Sequence, residues 1–107
     1  MPFLNFDLDY FDHRKTRRLI GLLGRGAAEL PIRIWCYCGK HHAESGSLAS
    51  YSAQEIESIA GWWGKENEMM EAMEKVEFLQ KTENGWKVKN WKEINGHLAA
   101  FKKRAMK

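Results

Sequence analysis

The sequence predicts one mainly α-helical α+β domain closed by a small β-hairpin. Three observations carry this. Apolar residues recur at helical spacing in four separate stretches. Ser52-Ala53-Gln54-Glu55 has the form of a capping box, with a hydroxyl at the N-cap and a carboxylate three residues on. Glu83-Asn84-Gly85 puts an Asn-Gly turn signal between two runs of strand-forming residues.

The elements follow in order. Residues 3–11 interleave Phe3, Phe6, Leu8, Tyr10 and Phe11 with acids and read as an extended arm that lays aromatics on a core. Asp12 is the expected N-cap of a helix over His13–Leu23, with Thr16, Leu19, Ile20 and Leu23 on one stripe. Gly24 and Gly26 end it. A second helix is expected over Ala27–His42, its start drawn toward Leu30 because Pro31 fits only a first turn. Its buried face is expected at Ala28, Ile32, Trp35, Cys36 and Gly39. Leu48–Tyr51 reads as a short strand. Ile56, Ile59 and Ala60 follow the capping box, and Gly61-Trp62-Trp63-Gly64 breaks that helix. Another helix is expected over Lys65–Val76, with Met69, Met70, Met73 and Val76 inward and Glu66, Glu68, Glu71 and Glu74 outward. Phe78–Thr82 and Trp86–Trp91 form the hairpin, and a short helix is expected around Leu98–Lys103. Two short helices joined by a glycine turn and followed by a hairpin make the order of a winged helix-turn-helix, with the hairpin as wing. Residues 1–97 form that domain with its arm, and residues 98–107 a basic tail.

Size and composition agree with a single core. The chain has 107 residues, 44% hydrophobic and 29% charged, with five Trp, five Phe and three Tyr, which is too apolar for wholesale disorder. Two cysteines make no disulfide framework and fit a reducing compartment. No stretch approaches the ~18 apolar residues of a membrane span. The acidic N-terminus lacks a signal peptide's apolar core. A soluble cytoplasmic protein without a membrane partner is expected.

The net charge is only +3, but it is unevenly spread. Residues 1–35 and 78–107 are basic and residues 36–77 are acidic. If the ends converge in space they form an anion-seeking face. The candidate DNA contacts are Arg14, Lys15, Arg17 and Arg18 on the first helix, Lys81, Lys87 and Lys89 on the wing, and Lys92, Lys102, Lys103 and Arg104 in the tail. Trp86 is the candidate for stacking on bases. Trp62 and Trp91 are expected in the core, and Trp63 is equally compatible with exposure.

The string His13-Arg14-Lys15-Thr16-Arg17-Arg18-Leu19 resembles the start of winged-helix domains at the N-termini of phage replication and replisome-organiser proteins. Further landmarks match in order: Pro31-Ile32-Arg33-Ile34-Trp35, Gly46-Ser47-Leu48, Glu55-Ile56, Gly61-Trp62-Trp63-Gly64, Phe78-Leu79, Gly85, Val88, Trp91 and Asn95-Gly96-His97. The resemblance implies a phage or prophage DNA-binding module in replication initiation, acting in the bacterial host cytoplasm. Such modules often carry further C-terminal domains, expected here to be absent or removed. One departure is clear. The helix that would read the major groove, Lys65–Glu77, has two lysines and five glutamates, and phosphates repel such a face. DNA contact is therefore expected through phosphates, which position a protein without specifying sequence, and the favoured ligand is duplex DNA. The alternative is a protein-interaction module that uses the acidic helix to bind a second copy or a replication protein.

Catalysis and cofactors are not expected. No nucleophile–base pairing, phosphate-cradling glycine loop or H-E-x-x-H string is present. Cys36, Cys38, His41 and His42 do not read as a metal site. Helical residues two apart point about 200° apart, and structural zinc sites usually space their cysteines by two to four residues. Cys36 is assigned to the core, and the glutamates of residues 66–77 to a solvated helix face.

Overall fold

The computed structural model describes residues 8–91. It is an α+β domain of four helices and a three-stranded antiparallel sheet: α1 (Arg14–Leu23), α2 (Glu29–His41), β1 (Ser47–Leu48), α3 (Ala53–Ala60), α4 (Glu68–Lys75), β2 (Leu79–Thr82) and β3 (Gly85–Val88). The sheet order is β1-β3-β2. The core joins Leu19 of α1, Leu30, Ile34 and Cys38 of α2, Leu48, Ile56 of α3, Met69, Met70 and Met73 of α4, and Leu79, Val88 and Trp91.

The N-terminal arm is not extended where it is described. Tyr10–Asp12 form a 3-10 turn. That turn buries the Tyr10 ring against Trp35 and Phe78, and its hydroxyl donates to the Ala28 carbonyl at 2.6 Å. Burial pushes the phenol well above its ordinary value. Asp12 is occupied by this turn, so the N-cap of α1 is His13, whose Nδ1 accepts from the Lys15 amide at 3.3 Å. Thr16 and Leu19 face inward as expected.

In α2 the buried stripe is Leu30, Ile34 and Cys38, continuing from Ala27. The expected stripe was rotated from it: Ile32, Trp35 and Gly39 are half-buried and Cys36 is exposed. Residues 30–38 are apolar on nearly every side, so two stripes satisfy helical spacing and periodicity cannot choose between them. Tertiary packing chooses, because Trp35 is drawn outward onto the rings of Tyr10 and Phe78.

The capping box forms as expected. The Glu55 amide donates to Ser52 Oγ at 3.1 Å and the Ser52 amide to Glu55 Oε1 at 3.0 Å. Gly61 ends α3 in the left-handed region at φ 74°, which glycine adopts without a Cβ penalty. α4 starts three residues later than its pattern implied. Asn67 sits at φ 69° ahead of it, and the carboxylate of Glu57 in α3 accepts the Asn67 amide at 3.1 Å. Glu57 is only 6% exposed, and this partly buried bond ties the start of α4 to α3. Met69, Met70, Met73 and Val76 are buried and Glu66, Glu68, Glu71 and Glu74 exposed, as the pattern requires.

β1 is shorter and earlier than Leu48–Tyr51, because Tyr51 already leads into the α3 cap; Ser47 pairs with Lys87 and Leu48 with Trp86. Across the hairpin Leu79 pairs with Val88, Gln80 with Lys87, Lys81 with Trp86 and Thr82 with Gly85. Leu48, Leu79 and Val88 face the core, and Ser47, Gln80 and Lys87 face out. Trp91 lies against Gly46 and donates from Nε1 to the Ala43 carbonyl at 2.7 Å. A Cβ at Gly46 would meet its ring at 2.5 Å. The expected helix around Leu98–Lys103 and the tail lie outside the described residues. Among the described residues no helix is long and apolar enough to cross a membrane.

Candidate nucleic-acid interface

α1 buries Thr16 and Leu19, so Arg14, Arg17 and Arg18 fall on its opposite, exposed face. Among the described residues none of the three has a carboxylate within 4.0 Å, where only Arg33–Glu29 and Lys89–Glu77 form ion pairs. Lys15 lies at the edge of that face. Its Nζ donates to the Glu77 carbonyl at 3.2 Å and stands 5.8 Å from the centre of the Phe78 ring.

The hairpin meets α1 at the same residue. Lys89 Nζ lies 2.8 Å from Glu77 Oε1. The carboxyl of Glu77 is held below its ordinary value, first by the bond from Lys89 and then by the nearby charges of Lys15 and Arg18. Lys15 and Lys89 are far apart in sequence, and the fold brings both onto Glu77, one at its carbonyl and one at its carboxylate. From Lys89 the outer face of the sheet continues into a shallow depression of 310 Å³ lined by Ser45, Gln80, Lys87, Val88, Lys89, Asn90 and Trp91.

Glu77 was missed by the pattern. It reads as part of the solvated glutamate face, yet α4 ends at Lys75 and Glu77 follows it in the left-handed region at φ 69°. The Phe78 amide donates to the Met73 carbonyl at 2.9 Å and the Glu77 amide to the Glu74 carbonyl at 3.1 Å. These two bonds form a Schellman motif, whose left-handed residue is usually glycine. No residue type signals a glutamate there.

The remaining candidates divide. Lys87 joins the cationic edge through the depression it shares with Lys89. Lys81 lies on the other face of the hairpin, with its Nζ 5.6 Å from the centre of the Trp86 ring. Trp86 is half-buried and packs against the core, two residues inside the Glu83-Asn84 turn. Lys92, Lys102, Lys103 and Arg104 lie outside the described residues. Trp62 is half-buried and donates from Nε1 to the Lys65 carbonyl at 2.7 Å, whereas Trp63 is 58% exposed and lies over Gly26.

The end of α2 holds the cysteines and histidines. Cys36 is exposed, not a core residue. Cys38 is buried, and burial pushes its thiol up to about 12. His42 Nε2 lies 2.9 Å from the Tyr51 hydroxyl, which is 2.8 Å from that of Tyr37. Among the described residues no group of three or more His, Cys, Asp or Glu is placed to hold a metal ion. In comparisons with known proteins, no family model, no curated protein and no solved structure matches this chain.

Proposed function

We propose that this chain is a winged-helix DNA-binding module that grips duplex DNA through its phosphates. The observation that carries the reading is the meeting of α1 and the hairpin at Glu77, which joins Lys15, Arg18 and Lys89 into one cationic edge beside Arg14 and Arg17. The helix order and the sheet order β1-β3-β2 support a helix-turn-helix with a wing. The exposed Glu68, Glu71 and Glu74 of α4 argue against base reading by that helix and leave phosphate contact as the mode. The likeness of the His13–Leu19 string and its later landmarks to phage replication modules supports a role in replication initiation within a bacterial host. The reading assigns no catalytic step and no cofactor.

Fluorescence anisotropy with duplex and single-stranded DNA at two salt concentrations tests it. Binding that weakens with salt, favours duplex and is lost in Arg14→Ala with Arg17→Ala is expected. No binding at low salt, or binding indifferent to the double substitution, rejects it.

A protein-interaction module is favoured by one specific observation. Trp63 stands exposed on the turn that leads into the acidic α4. Sedimentation of the purified chain distinguishes a homodimer, and loss of self-association in Trp63→Ala would locate it.

A further inference from the structure

We propose that Glu77 is the resident occupant of a phosphate seat: Lys15, Arg18 and Lys89 form an anion subsite that the Glu77 carboxylate fills until a backbone phosphate of DNA displaces it. The inference deepens the nucleic-acid reading and rests on it. Two independent observations carry it. The first is backbone geometry. Glu77 holds the left-handed position of a complete Schellman motif, where glycine would close the same two hydrogen bonds without a Cβ penalty. A glutamate at such a position carries a backbone cost that its contact with Lys89 helps to offset.

The second is charge. Lys89 bonds the carboxylate at 2.8 Å and Lys15 bonds the carbonyl of the same residue at 3.2 Å, with Arg18 one helical turn on from Lys15 along α1. Lys89 alone touches the carboxylate, and with Lys15 on the adjacent carbonyl and Arg18 on the same helix the local charge remains positive even when the seat is filled. The Glu77 side chain is 60% exposed, so the carboxylate can swing into water without crossing the core. A phosphate presents more acceptor oxygens than a carboxylate and fits a seat built by donors from two elements. Exchange of carboxylate for phosphate would lock α1 and the wing onto the same stretch of DNA backbone.

The test compares wild type, Glu77→Gln and Glu71→Gln, the last carrying the same charge change on the exposed face of α4. Binding is read by anisotropy with a short labelled duplex at two salt concentrations. Glu77→Gln is expected to bind roughly threefold more tightly than wild type, with a salt slope steeper by about 0.9. Glu71→Gln should gain less, and adding Lys89→Ala to Glu77→Gln should abolish the gain. Equal or weaker binding by Glu77→Gln, or a gain matched by Glu71→Gln, overturns the seat while leaving the DNA reading intact. If no form binds duplex, the DNA reading fails, and inorganic phosphate titrated into labelled protein decides the seat alone. Saturable shifts at Lys15, Arg18 and Lys89 that strengthen in Glu77→Gln support a seat for free phosphate, and their absence overturns it.

Discussion

α1 and α4 are built alike and face solvent with opposite charge. Each is a short amphipathic helix with a fully buried stripe, Thr16 and Leu19 in one and Met69 and Met73 in the other. Each packs against its neighbour, and neither buries its charged side. On α1 that side is Arg14, Arg17 and Arg18; on α4 it is Glu68, Glu71 and Glu74. The buried stripe therefore sets where a helix sits, and the exposed stripe sets what it can meet. A helix-turn-helix fold ordinarily sends its second helix to DNA. On the proposed DNA-binding reading, the carboxylates of α4 would close that route and contact would fall to the cationic edge around α1.

The largest effect should show that the two scaffolds are equivalent. Leu19→Ala and Met73→Ala each remove a fully buried side chain, and each should cost about 2–5 kcal/mol in urea denaturation. A much smaller loss at either site would mean that helix is not held by the shared core. The next effect separates the helices by charge. Replacing Arg14, Arg17 and Arg18 together by Ala should lower duplex affinity at least tenfold and flatten the salt slope by about 2.7. The matching change on α4, Glu68, Glu71 and Glu74 to Gln, should leave DNA contacts in place and raise affinity only modestly, through net charge; a loss of binding there would break the comparison. Smaller still, Ser52→Ala should cost about 1 kcal/mol by removing half of the capping box, with no change in the salt slope.

The smallest effect is one of pH. The Glu77 carboxyl lies below its ordinary value of 4.5, chiefly through Lys89. Stability from that contact is present above 4.5 and is lost as pH falls through the lowered folded value. Denaturation midpoints measured through this acid range should fall less steeply in Lys89→Ala than in wild type. Parallel curves would show that the pair adds nothing in solution, as some exposed pairs do.

Much of the scaffold is legible in the residues because its signals are local. Ser52 and Glu55 specify their cap within four positions, the methionines of α4 leave one inward solution, and Gly85 follows a two-residue turn with its positive φ of 120°. The errors arise where several local solutions are equal. Residues 30–38 offer two apolar stripes, and Asp12 and His13 both can cap α1 until Tyr10 draws Asp12 into a turn. For the site, the arginines of α1 were visible as a cationic run. Their meeting with Lys89 was not, because it depends on a chain reversal at Glu77 that glutamate does not announce.

Trp91 ties the end of the described chain to the rim of the outer depression, by its bond to Ala43 and its seat on Gly46. It thereby acts as a mooring. Because Trp91 is itself buried in the core, the rim it carries is fixed to the core rather than hung from the sheet alone.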